Sequence, residues 1–131
     1  ADINSEVDSC INEIQRTWTA EDDCGNTTQA VQLITVRDLT GPVISNLAPG
    51  TTLQCDQIPP PDTPIAIDAC SGDTVAVSLN EELQENGCRT TIRRTYTAVD
   101  NCGNASSRLR IIIIDDTFWK NIVLFYFSNF I

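Results

Sequence analysis

Six cysteines, a series of aspartates beside glycine, asparagine and threonine, and two Asn-x-Ser/Thr triplets are the residues whose types and spacing could do chemistry. Cys10, Cys24, Cys55, Cys70, Cys88 and Cys102 can serve as metal-bound thiolates, nucleophiles or disulfide partners. No two of them form a C-x₂₋₄-C knuckle, and the chain has no histidine, the commonest metal ligand and general base at neutral pH. Disulfides in an oxidising compartment are the better reading. Asp22, Asp23, Asp38, Asp68, Asp100, Asp115 and Asp116 lie where the pattern turns. Oxygen ligands of this kind can hold calcium, for which Asp38, Asp68, Asp100 and Asp115 are the candidates, although aspartates also serve turns by accepting local backbone N–H bonds. No cofactor is required by any of these residues. Asn26-Thr27-Thr28 and Asn104-Ala105-Ser106 are glycosylation sequons at Asn26 and Asn104, or turn asparagines after a Cys-Gly corner.

What must position these residues is a repeat. RTWTAEDDCGN (16–26) and RRTYTAVDNCGN (93–104) share their text at a constant offset of 78 residues, pairing Arg16 with Arg94, Trp18 with Tyr96, Asp22 with Asp100, Cys24 with Cys102 and Asn26 with Asn104. Cys10 and Cys88 have the same offset. A period of this length within 131 residues leaves one complete unit, 41–117, preceded by the second half of another, 1–40. The carboxylates recur with the repeat's own turns, and an enzyme rarely repeats its active site in each unit. The chain is therefore read as non-enzymatic.

Composition narrows the partners. Eight Lys and Arg against eighteen Asp and Glu give a formal charge of −10, a field that disfavours nucleic acid and anionic membrane surfaces. The chain starts at Ala1 in mid-pattern without a leader, so it is expected to be a processed or excised piece of an extracellular protein. With 41% hydrophobic residues a core can form, though a unit of this size usually needs covalent staples.

In chain order, residues 1–12 are polar and carry only Cys10 as a signal. Ile14, Arg16, Trp18 and Ala20 then share one strand face, and a strand over 29–36 completes a hairpin across the 22–26 corner. Strands follow near 51–56, 64–67 and 74–79, with Pro59-Pro60-Pro61 forcing a crossing between the first two. Residues 80–87 read as an acidic loop with room for a helical turn, and a hairpin over 90–115 closes the unit. Short strands with Pro and Gly corners predict an all-β sandwich, with Trp18 and Tyr96 as core aromatics. Arg16 and Arg94 fall on the same face and are expected to snorkel or to pair with a corner aspartate.

Residues 118–131, FWKNIVLFYFSNFI, leave the repeat pattern. They fall short of the roughly 20 apolar residues of a membrane helix. An erroneous or truncated chain end is expected, or an apolar cap on a sheet edge, with a membrane or partner anchor as the remaining alternative.

Strand direction suggests the disulfides. If Cys70 and Cys102 sit in upper corners and Cys55 and Cys88 at the lower ends, the pairs are Cys55–Cys88 and Cys70–Cys102. The extended run from Cys88 to Cys102 spans on the order of 40 Å at about 3.3 Å per residue, whereas bonded cysteines need Cα atoms about 5.5 Å apart. Each bridge would contribute roughly 3 to 4 kcal/mol. Cys10 and Cys24 would pair outside the half-unit.

RTWTAEDDCGNTTQAVQLITVRDLTGP and RRTYTAVDNCGNASSRLRIIIIDDT resemble the hyalin-repeat-like (HYR-like) repeats, immunoglobulin-like extracellular modules strung in arrays in cell-surface adhesins and fibres. The front-half stretch LQCDQIPPPDTPIAIDACSGD is similar too. The resemblance covers about 10–117 and implies immunoglobulin-like β-sandwich repeats with a structural or adhesive role. It implies neighbouring repeats or fibre subunits as partners. The alternative is a module that binds a glycan or surface protein through its corner loops.

Overall fold

The computed structural model describes residues 2–8, 10–54 and 57–115. The expectations for Cys55 and for residues 118–131 lie outside the described residues. The described chain is all-β, with strands β1 (Asp2–Asp8), β2 (Ile11–Glu21), β3 (Thr27–Arg37), β4 (Val43–Ser45), β5 (Thr51–Leu53), β6 (Ile65–Ile67), β7 (Thr74–Val75), β8 (Val77–Asn86), β9 (Arg89–Val99) and β10 (Ala105–Asp115). Among the described residues no helix is long and apolar enough to cross a membrane.

Strands β4 to β10 form a β-sandwich that a disulfide staples to the amino-terminal strands. One sheet has the order β5-β10-β9-β8 and the other β4-β6-β7. The alternation of β9 puts Ile92, Arg94, Tyr96 and Ala98 on the inner face, and all four are buried. Ala98 packs with Ile44 and Ala66, flanked by Val75 and Val77, while Ile92 packs with Ile112 and Ile114 beside Leu53. Period-two alternation explains this division, because one face of each strand meets the opposite layer. Strand β5 adds to the outer side of β10 in parallel, Thr51 opposite Ile112 and Leu53 opposite Ile114.

The amino-terminal strands form a separate sheet, β1-β2-β3, that copies β8-β9-β10. Trp18 lies opposite Ala30 and Glu21 opposite Thr27. In the later hairpin Tyr96 lies opposite Arg108 and Val99 opposite Ala105, the same register after the 78-residue offset. Asp8 opposite Ile11 likewise repeats Asn86 opposite Arg89. A bulge between Glu6 and Asp8 then shifts β1.

Two segments that read as structureless are strands. The stretch 80–87 was expected as a loop, yet its residues to Asn86 belong to β8, with Glu81 facing Arg94 and Glu82 facing Arg93. Its acidity is that of a solvated edge strand whose carboxylates lie across from arginines. Strand β1 also lies in a polar stretch, and among the described residues it pairs with β2.

Candidate functional site

Three corners of the chain share one construction. Asp22, Asp68 and Asp100 each accept, through Oδ1, the amide of the cysteine two residues on, at 2.9, 2.9 and 2.8 Å. At Asp22 and Asp100 the same oxygen also accepts the amide of Asn26 or Asn104, and Oδ2 accepts that asparagine's Nδ2. The turn closes with Gly25 and Gly103 both at φ 83°, a left-handed conformation that glycine adopts at least cost. Each corner thus holds its cysteine in a set orientation by charge-assisted bonds.

Hydrogen bonding draws down the pKa of two of these carboxyls. At Asp22 the Asn26 side chain is the main cause, and at Asp68 it is the Cys70 amide. Local turn bonds engage Asp38, Asp68 and Asp100, three of the four carboxylates that the sequence offers as calcium ligands. Of the candidates Asp38, Asp68, Asp100 and Asp115, only Asp38 and Asp100 come together, beside Cys102. Asp38 Oδ1 accepts the Thr40 amide and hydroxyl. Asp115 instead pairs with Arg89 at 3.0 Å.

The corner at Asp100 is where the two sheets meet. Cys102 is joined to Cys10, with Cα atoms 5.3 Å apart. This corrects the expected Cys70–Cys102 bridge; Cys10 does pair outside its half-unit, with a cysteine of the unit that follows. Direction along the strands excluded Cys88 for Cys102 but treated the complete unit as closed, whereas the linker after β3 folds back onto the corner. Asn104 donates Nδ2 to the Asp38 carbonyl at 3.3 Å, and the Asp38 amide donates to the Cys10 carbonyl at 3.2 Å. Gly41 makes the close approach: a Cβ there would lie 2.5 Å from Ser106 Oγ and 2.8 Å from the Ala105 carbonyl. Cys24, Cys70 and Cys88 are free and exposed. For the expected Cys55–Cys88 pair, Cys55 lies outside the described residues and Cys88 is among those free thiols.

The two core aromatics part company. Tyr96 is 1% exposed, and its hydroxyl accepts the Asp62 amide at 3.0 Å and donates to Asp62 Oδ2 at 3.1 Å. Trp18, expected in a core, is 59% exposed. The second layer of the sandwich covers β9 and β10, while β2 has its indole face toward solvent, with the Arg16 guanidinium 6.0 Å from the ring centroid. Arg94 is buried and pairs not with a corner aspartate but with Glu81 at 2.6 Å, while donating to the Pro59 and Pro60 carbonyls.

A residue that sequence reasoning missed ties this together. Both Asp62 oxygens accept from Arg110 Nη1 at 2.8 Å, beside the Tyr96 hydroxyl on Oδ2, and Arg110 Nε donates to the Pro49 carbonyl. Burial pushes the Asp62 carboxyl up, but bonds from Arg110 and Tyr96 outweigh it and leave the pKa lowered. Burial raises the Tyr96 phenol. The signal was the proline run itself: a strand-free crossing over a sheet offers carbonyls that inward-facing arginines can satisfy.

Comparison of the chain with protein-family models, curated proteins and solved structures finds no match.

Proposed function

We propose that the chain is a non-enzymatic structural repeat from an extracellular tandem-array fibre or adhesin, of the hyalin-repeat-like, immunoglobulin-like kind. One observation carries this reading. The same antiparallel run of three strands and the same cysteine corner occur twice, 78 residues apart, and a disulfide joins the β1–β2 turn of the first run to the corner of the second. A catalytic site needs one constellation, whereas a spacer needs the same joint again and again. Carboxylates at the corners accept the bonds of the turns they build, and the buried charges of Arg94 and Arg110, with the half-buried Asp62, anchor the crossing segment over the sheet. Neighbouring repeats or fibre subunits are the partners, and the cell surface is the setting in which such a staple persists.

The staple encloses a sequence separation of 92 residues, so it limits how far the chain can be drawn out. Pulling single molecules from end to end tests this. Reduction is expected to add about 300 Å of contour length, at roughly 3.4 Å per residue. Equal extension before and after reduction would contradict a tether locked at its joint.

A further inference from the structure

The 78-residue offset carries the disulfide as well as the strands. Cys10 maps onto Cys88 and Cys24 onto Cys102, so the Cys10–Cys102 bond joins a turn cysteine of one unit to a corner cysteine of the next. The two remaining images are Cys88, the turn cysteine of the second unit, and Cys24, the corner cysteine of the first. Both are free and exposed.

A single exposed thiol would carry no argument. These two are held as their bonded counterparts are. Cys24 sits in a corner with the same Asp Oδ1 bond, the same glycine φ and the same closing bond, Asp22 N to Asn26 O at 2.9 Å against Asp100 N to Asn104 O at 3.0 Å. Cys88 follows a hairpin end, Asn86 opposite Arg89, that repeats Asp8 opposite Ile11. A second difference points the same way. Asn104 Nδ2 has two acceptors, Asp100 Oδ2 and the Asp38 carbonyl across the junction, whereas the bond of Asn26 Nδ2 goes to Asp22 Oδ2. Its other N–H is the image of the bond that crosses the joint. Asp22 and Asn26 are exposed where Asp100 is buried and Asn104 half-buried.

We propose that Cys24 and Cys88 are the two halves of a further inter-unit disulfide of the Cys10–Cys102 type, and that their partner is another copy of this repeat. Cys88 receives the corner cysteine of a following unit, and Cys24 receives the turn cysteine of a preceding one. A second copy of this chain offers both groups. The inference rests on the tandem-array reading. The bond forms by thiol–disulfide exchange with a small disulfide oxidant such as oxidised glutathione. The Cys88 thiolate attacks it and releases one glutathione thiol, and the Cys24 thiolate then displaces the second. Two protons and two electrons leave the pair, and the oxidant departs as two thiols.

The test uses two full-length variants, Cys24→Ser and Cys88→Ser, each also carrying Cys70→Ser, alone and in equimolar mixture with oxidised glutathione. Only exposed free thiols are changed. The mixture is expected to give a covalent 1:1 dimer several-fold in excess of either variant alone, and a proteolytic digest should contain a Cys24–Cys88 peptide. No dimer in the mixture, or equal dimer in each variant alone, would overturn the proposal. The Cys10–Cys102 peptide of the same digest separates the two levels: its presence without a Cys24–Cys88 peptide overturns the inter-unit bond alone, and its loss overturns the stapled-junction reading beneath it.

Discussion

Trp18 and Tyr96 hold the same position in two hairpins of one register, yet Trp18 is largely exposed and Tyr96 is buried with its hydroxyl bonded to Asp62. The difference lies in what covers each hairpin, since the 59–64 segment and the second sheet pack over β9. Tyr96→Phe should destabilise the sandwich by about 1 to 3 kcal/mol, because it leaves the polar groups of Asp62 short of a partner. Trp18→Phe should stay within about 0.5 kcal/mol. Chemical denaturation of the two variants checks the contrast, and equal losses would contradict it.

Arg110 and Asp62 form a largely buried ion pair at 2.8 Å. Removing one partner strands the other, so Asp62→Ala should cost about 3 to 5 kcal/mol. Replacing both with apolar residues should recover part of that loss. A double-mutant cycle measures the coupling, and strict additivity would argue against the pair as the anchor of the crossing segment.

Stability should also fall in acid. The carboxyls of Asp22, Asp62 and Asp68 are lowered in the folded chain, so below the ordinary carboxylate pKa of about 4 the unfolded state binds more protons than the native state. The stabilisation is complete above that pH and is lost as the pH drops through the lower folded values. Denaturation midpoints measured from pH 7 to pH 2 should be level at first and then decline, with a shallower decline in Asp62→Asn. A midpoint that rises in acid would reverse the sign.

Much of the fold was legible because alternation and repetition are local signals. The 22–26 and 100–104 corners, both hairpins and the buried face of β9 follow from residue type and the 78-residue offset. Strands β1 and β8 were not legible from polarity: β1 is written largely in polar residues, and β8 is exposed beyond Val77 and carries no apolar stripe. The offset held a clue that composition lacked, for Asp8-Ser9-Cys10 and Asn86-Gly87-Cys88 are equivalent. Asp62 and Arg110 were missed because their partners lie 48 residues apart. The Cys10–Cys102 bond escaped for a topological reason, in that it links residues on either side of the boundary expected near residue 41.

The sequons should differ in modification. Asn104 Nδ2 donates both to Asp100 and to the Asp38 carbonyl, and the residue is half-buried, whereas Asn26 is exposed. Secreted from a eukaryotic host, the chain should carry glycan at Asn26 in preference to Asn104. Site-resolved mass spectrometry of the glycopeptides checks this, and higher occupancy at Asn104 would contradict the junction geometry.

The central claim is that a covalent staple joins one repeat to the next at the hairpin corner. Peptide mapping of the unreduced, alkylated protein measures this most directly. For the monomer, with no disulfide oxidant added, the account predicts a Cys10–Cys102 cross-linked peptide, with Cys24, Cys70 and Cys88 recovered as alkylated thiols. A Cys70–Cys102 peptide in its place, with Cys10 alkylated, would mean that each unit closes on itself and would contradict the account.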